Sequence, residues 1–218
     1  MIPAVGTPKT ELAAGASAAG RKAAGRRHPN SVRIIGGAWR GRRVAFPDLP
    51  GLRPTPDRVR ETLFNWLQQP VSGARCLDLF AGSGALGLEA LSRGAREVVF
   101  VDRTPAVVQN LRAQLSRLDA TAPATILEAD AVRFLQSPGQ AFDIAFLDPP
   151  FGNGALPQYV ALLEAGNWLS NGGLLYLENA KREAVPTLPP QWQLLKSKFA
   201  GEVGYHLVRV NRRIQPND

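Results

Sequence analysis

Past residue 70 the apolar positions fall into a regular rhythm. Short apolar runs at 75–80, 97–101, 124–128, 142–147 and 173–178 predict strands. Between them, 85–93, 105–118, 131–136 and 154–169 carry helical spacing, and Pro105 suits a helical first turn. Strands that are apolar throughout and alternate with helices predict a largely parallel sheet covered on both faces. The last two runs, 193–199 and 203–210, follow each other with no helix between and predict an antiparallel pair at the sheet edge.

The front of the chain has a different texture. Val32-Arg33-Ile34-Ile35 alternates, Gly36-Gly37 punctuates, and a second run reaches Phe46, so residues 32–46 predict a β-hairpin. Pro47, Pro50, Pro54 and Pro56 mark an irregular connection. Asp57 is expected to cap a helix running to about Gln68, with Val59, Leu63, Phe64, Trp66 and Leu67 on its apolar face. Residues 1–30 are Ala/Gly-rich with scattered Arg and Lys and no apolar period. They read as a disordered basic tail, with an Arg-rich transit peptide as the alternative. Three parts result: the tail 1–30, a basic hairpin extension and linker 31–55, and a main domain 56–218.

Composition narrows the chemistry. At 218 residues, 44% hydrophobic and 20% charged, the chain can build a packed core. No stretch approaches the roughly 20 apolar residues of a membrane span. One cysteine excludes an intrachain disulfide and, with two histidines, leaves no metal site expected. A reducing, cytoplasmic setting fits. The net charge of +8 is unevenly placed: residues 1–60 hold 12 of 26 Lys+Arg and 3 of 18 Asp+Glu, so this segment is +9 and the remainder −1. A basic front end on a near-neutral body points to a polyanionic partner, or to a solubilising tail.

Gly82-Ser83-Gly84-Ala85-Leu86-Gly87 is a G-x-G-x-x-G that follows a strand and opens a helix. Such a loop lets backbone approach a ligand beside the N–H groups of a helix N-terminus. Asp102, 20 residues after Gly82, ends the next strand, where a carboxylate can accept from both hydroxyls of a ribose. A nucleoside-containing cofactor follows. Asp78, just before the loop, would oppose a pyrophosphate and suit the ammonium of a methionine moiety, which favours S-adenosylmethionine over nicotinamide or flavin dinucleotides. Asp130 or Glu128 is placed to accept from the adenine amino group. Asp78 as a loop cap and Asp130 as a helix N-cap are the alternatives. The neighbours Phe80, Arg103 and Ala131 complete the candidate cofactor set.

Asp148-Pro149-Pro150-Phe151 follows the fourth strand, on the sheet edge shared by Gly82, Asp102 and Asp130. Two prolines stiffen the loop, and Pro149 has no N–H, so acceptors dominate it. Phe151 offers a stacking face. Acceptors that hold the hydrogens of a conjugated exocyclic amine would aim its lone pair at a methyl donor. Guanine suits Asp148 because its Watson–Crick edge sets two donors side by side, though adenine also fits. The structural alternative is a rigid turn with a packed Phe.

DLFAGSGALGLEALSRGA with DPPF resembles the class I S-adenosylmethionine methyltransferases that modify exocyclic base nitrogens. RIIGGAWRGRRV followed by GLRPTPDRVRETLFNWL narrows this to a resemblance to the bacterial small-subunit ribosomal RNA guanine-N2-methyltransferase D family, over about residues 32–210. The resemblance implies a Rossmann-like α/β fold: a seven-stranded, mostly parallel sheet with one antiparallel strand and an N-terminal hairpin extension. It implies methyl-donor positions at Asp78, Gly82, Gly84, Asp102 and Asp130, and a catalytic loop at Asp148, Pro149, Pro150 and Phe151. It also implies a single target guanine, position 966 of 16S rRNA, within the small ribosomal subunit or its assembly intermediate. A monomer is the default, with no membrane partner.

The candidate RNA-binding residues are Arg33, Trp39, Arg40, Arg42 and Arg43 around the hairpin, and Arg53 and Arg58 near the following helix. Arginines can bind phosphates bidentately and Trp39 can stack on a base, or pack the hairpin onto the domain. The target base must leave its stack to reach the loop at Phe151. Some of Arg53, Arg58 and Arg60 are expected to pair with Asp57 or Glu61 instead. Lys196, Lys198, Arg212 and Arg213 read as solvated charges, and His206, Cys76, Trp66, Trp168 and Trp192 as structural. Three other functions compete with the RNA methyltransferase: a DNA amino-methyltransferase, a nicotinamide-dependent oxidoreductase and a non-catalytic rRNA-binding assembly factor.

Overall fold

The computed structural model describes residues 30–120, 123–150, 152 and 154–212. The expected basic tail lies almost wholly outside the described residues, as does Phe151. Among the described residues, β1 (Ser31–Arg33) and β2 (Arg43–Ala45) pair antiparallel as the hairpin. Then come α1 (Asp57–Trp66), β3 (Arg75–Asp78), α2 (Ala85–Ser92), β4 (Glu97–Asp102), α3 (Pro105–Arg117), β5 (Ala124–Glu128), α4 (Ala131–Leu135), β6 (Phe142–Leu147), α5 (Leu156–Ala165), β7 (Leu169–Ala180), β8 (Gln193–Ala200) and β9 (Val203–Arg209).

Seven strands form one sheet in the order β5-β4-β3-β6-β7-β9-β8. Only β9 runs against its neighbours, pairing antiparallel with both β7 and β8. The expected mostly parallel sheet with one antiparallel strand is therefore the observed one. Alternate strand residues feed two cores. Cys76, Val98, Phe100, Ile144 and Tyr176 face α1, α2 and α3; Leu77, Val99, Val101, Ala145 and Leu177 face α4 and α5. Chain order reverses between β3 and β6, the switch point where open α/β sheets bind ligands.

Three local expectations need correction. Asp57 does not cap α1: Pro56 stands at the N-cap with no side-chain cap, and the Asp57 carboxylate turns to Arg60 at 2.6 Å. The helix expected over 154–169 is shorter, ending where Gly166 closes its last turn. Consequently β7 starts at Leu169, well before 173, because Leu169 pairs with Phe142 and the irregular Ser170–Gly173 stretch is absorbed into the strand. The Ser-Asn-Gly-Gly composition reads as a turn, and long-range pairing overrides it.

The hairpin shares the main core, burying Val32, Ile34 and Val44 in it. Fully buried Glu89 of α2 accepts the backbone N–H of Ile35 at 2.7 Å and of Gly36 at 2.8 Å. Arg60 and Arg93 neutralise that carboxylate at 3.4 and 2.7 Å. One turn on, Ser92 accepts the Trp39 N–H at 2.9 Å and donates to the Gly36 carbonyl at 2.5 Å. A Cβ at Gly37, where φ is +75°, would fall 1.7 Å from the Ser92 carbonyl oxygen. Only glycine fits that approach.

Candidate active site

The glycine loop is held by two carboxylates and turns at two left-handed glycines. Gly82 has φ +50°, and Gly84, at +75°, is the N-cap residue of α2. Asp78 ends β3 and is buried; its Oδ2 accepts the Gly87 N–H at 2.9 Å. It therefore acts as a loop and helix cap, placing negative charge at a helix N-terminus. Burial pushes its carboxyl up to about 7, the Gly87 N–H pulls it down, and Asp102 raises it again. A Cβ at Gly87 would sit 2.2 Å from the Phe100 ring and 3.0 Å from Asp78 Oδ2, so the third glycine of the motif serves helix–sheet packing.

Asp102 leaves β4 and reaches back across the loop. Its Oδ2 accepts the Gly82 N–H at 3.0 Å, and its Oδ1 accepts that of Thr104 at 2.8 Å. A carboxylate offers about four acceptor positions, so two bonds leave capacity for a ligand's hydroxyls. Asp130 is the N-cap of α4, its Oδ1 accepting from Val132 and Arg133 at 3.0 and 3.2 Å. Glu128 and Arg103 are exposed, and Ala131 is buried. Phe80 meets Tyr159 of α5 edge-on with ring centroids 5.0 Å apart. The Tyr159 hydroxyl feels both Asp130 and Arg103. Tyr159 is a rim residue that no motif marks; aromatic residues on a helix following the reacting loop were the only available signal.

On the other side of the switch point, Asp148 and Pro149 leave β6. Asp148 is part-buried and stands 3.5 Å from the Thr55 hydroxyl. Burial raises its carboxyl well above the usual range, with Glu178 and then Asp78 adding to the shift. Pro149 is buried and Pro150 exposed. The connection after the hairpin closes over this edge. Leu52 sits where a Cβ on Gly82 would meet it at 2.9 Å, and Thr55 reaches Asp148. The proline-rich connection thus bridges the hairpin to both halves of the site.

The arginines divide. Arg42 donates to the carbonyls of Arg117 and Leu118 at 2.9 and 3.2 Å, tying the hairpin to the C-terminus of α3. Trp39 is half-buried against the main core, the packing role. Arg33 stands 3.6 Å from Asp57, and Arg43 bonds Ser31 across the hairpin. Arg40, Arg53 and Arg58 are exposed. Arg60 is buried against Asp57, as the neighbouring acids suggested. Arg212 is not a simple solvated charge: its guanidinium donates to the carbonyls of Leu169 and Asn167. His206 is buried and bonds Asn179 at 2.9 Å; Cys76 is buried; Trp168 and Trp192 are packed, and Trp66 stacks on Tyr205. No described helix is long and apolar enough to cross a membrane.

This geometry has counterparts in known proteins. The family described as conserved hypothetical protein 95 matches residues 32–209. Ribosomal RNA small subunit methyltransferase D of Escherichia coli (strain K12) is 49% identical over 176 residues, covering 81% of this chain and 88% of that one. The structure of an E. coli protein described as putative methyltransferase yhhF superposes with a TM-score of 0.79 at 46% identity, covering 84% of this chain and all of the other. A Thermus thermophilus 16S rRNA N2 G1207 methyltransferase, solved with AdoMet and guanosine, gives a TM-score of 0.60 at 26% identity, covering 85% of this chain and 50% of that one.

Proposed function

Because the chain belongs to the family of the small-subunit ribosomal RNA methyltransferase D proteins, we propose that it transfers a methyl group from S-adenosylmethionine to the exocyclic N2 of one guanine of 16S rRNA, within an assembling small ribosomal subunit. It is an enzyme, and its cofactor is S-adenosylmethionine. The observation that carries this reading is the shared sheet edge. A glycine loop tied down by Asp102 lies on one side of the β3/β6 switch point, and Asp148-Pro149-Pro150 lies on the other. The donor supplies a methyl on a positively charged sulfur.

On this reading Asp102 takes the ribose hydroxyls with its spare acceptor capacity. Gly82 and Gly84 admit the ligand close to backbone, with Phe80, Arg103 and Ala131 around it. Asp78, held inside the fold by Gly87, supplies negative potential toward the methionine ammonium. Asp130 meets the adenine amino group with the oxygen its helix does not use. Asp148 and the backbone acceptors of the Pro-Pro turn hold the N2 hydrogens, and Phe151 stacks on the base. Arg33, Arg40, Arg43, Arg53 and Arg58 bind flanking phosphates, while Arg42 and Trp39 hold the hairpin that presents them. The hairpin and linker 31–55 form the RNA-facing extension of the domain 56–218. The enzyme works as a cytoplasmic monomer.

DNA amino-methylation is the weaker reading, since the relatives at 49% and 44% identity are named ribosomal RNA methyltransferases. The test is transfer from tritium-labelled S-adenosylmethionine to small subunits from cells lacking the enzyme, to naked 16S rRNA and to duplex DNA, followed by nucleoside analysis. N2-methylguanosine formed mainly on the subunits is expected. Label on DNA adenine or cytosine would overturn the substrate.

A further inference from the structure

Glu178 lies where no motif points. Leu147 of β6 pairs with Leu177 of β7, so the next residues, Asp148 and Glu178, leave the sheet side by side. Glu178 is buried, and its Oε1 accepts the Tyr176 hydroxyl at 2.6 Å. The Thr55 hydroxyl pulls the same carboxyl down and stands 3.5 Å from Asp148 Oδ2, so it lies between the two acids. A hydroxyl has one proton to give and lone pairs to receive another, so Thr55 can connect two acids that share a proton. Glu178 also lines a pocket of about 170 Å³ behind the reacting loop, with Pro149, Pro150, Gly154, Glu183 and Pro186.

Two acids this close in a buried setting do not both ionise easily. Burial raises Asp148, and Glu178 and Asp78 raise it further. Burial raises Glu178 to about 7, against the bond from the Tyr176 hydroxyl and the pull of the Thr55 hydroxyl. Among the described residues, Tyr205 of β9, paired with Glu178, and Glu183 at the pocket rim also face the cluster. Their titrations are therefore coupled, and a proton shared between the two carboxyls relieves their repulsion.

We propose that Glu178 is the positioning residue for proton release: Asp148, Thr55 and Glu178 form a relay that carries the proton shed by the methylated nitrogen into the pocket behind the loop. The inference rests on the guanine-N2 reading. As the nitrogen lone pair forms the new N–C bond, the S–C bond breaks and its electrons stay on sulfur. The nitrogen, carrying the methyl and both hydrogens, is then positively charged and loses one proton to Asp148. Before that, Asp148 passes the shared proton through Thr55 Oγ1 to Glu178, which leaves Asp148 ionised to accept; Glu178 then releases its proton toward Glu183. One proton leaves, and the pair again shares one.

The full chain is tested in two ways. In carboxyl carbon NMR titrations of the protein alone, Glu178→Gln should move the Asp148 transition down by about one pH unit or more, since a permanently neutral neighbour no longer opposes its ionisation. In single-turnover transfer to unmethylated small subunits, the same variant should shift the acid limb of the pH–rate profile to lower pH and slow the step at pH 8 about tenfold. Calorimetric S-adenosylmethionine affinity should stay unchanged. Thr55→Val should slow transfer similarly, and Thr55→Ser should restore it. An unmoved Asp148 transition with an unmoved profile overturns the relay. Should Glu178→Gln fail to fold, equal rates for Thr55→Val and Thr55→Ser overturn it. Wild-type enzyme that puts no label on guanine N2 removes the functional reading itself, whereas normal wild-type transfer with silent relay variants removes the relay alone.

Discussion

The Arg60 guanidinium lies fully buried 3.4 Å from the equally buried carboxylate of Glu89. Each has further partners. Arg60 donates to the carbonyls of Thr55 and Arg33, and Glu89 accepts from the backbone of Ile35 and Gly36. A buried ion pair pays heavily in desolvation and survives only where such bonds satisfy it. Here they join α1, α2, the hairpin and the linker at one point.

Removing one partner should leave the other uncompensated. Glu89→Ala is expected to lower unfolding free energy by about 3–5 kcal/mol, read from urea denaturation. A loss of under about 1 kcal/mol would show that the hairpin is held by its apolar residues alone.

Gly37→Ala places a methyl against the Ser92 carbonyl and forces a left-handed backbone on a residue that disfavours it. The hairpin should lift from α2. Small-subunit affinity should fall at least tenfold while calorimetric S-adenosylmethionine affinity holds.

Asp102→Ala should weaken S-adenosylmethionine binding at least tenfold, because it removes both the ribose acceptor and the anchor of Gly82. Asp148→Ala should abolish most turnover with cofactor affinity intact. Unchanged turnover would take Asp148 out of the mechanism.

Asp78 has a raised carboxyl, from 3.8 to about 7. The wild-type fold is thus favoured in acid relative to the unfolded chain, and it loses that contribution as pH rises through about 7. Asp78→Asn should therefore gain stability on wild type between pH 4 and 8, on the order of a few kcal/mol by the top of that range, while binding S-adenosylmethionine less well. A stability difference independent of pH would contradict the buried-acid assignment.

Neutralising Arg40, Arg53 and Arg58 should flatten the salt dependence of RNA affinity, by about one unit of slope for each phosphate left without its arginine. Arg42→Ala should instead lower thermal stability, because its donors serve α3.

The features legible in sequence are local ones. Apolar runs marked β3, β4, β5 and β6 to within two residues, and the acids at their ends mapped onto the sheet edge because a parallel sheet puts every strand's carboxyl end on one side. The hairpin was legible from alternation around Gly36-Gly37. Glu89, Ser92, Thr55 and Glu178 were not. Their partners lie tens of residues away, and a lone Glu on a helix reads as solvated until the fold buries it. Arg42 shows the same limit from the other side. Its place in a basic cluster suggests phosphates, and only the position of α3 reveals two helix-terminal carbonyls within reach.

The clamp at Gly36, Gly37, Glu89 and Ser92 bears on modular reuse. The hairpin is not a portable cassette. Grafted onto another methyltransferase, residues 31–46 would arrive without an acceptor for the Ile35 and Gly36 N–H groups and without a serine to seat the turn. A working chimera has to carry the last turn of α2 with Glu89 and Ser92 as well, together with the buried Arg60 of α1.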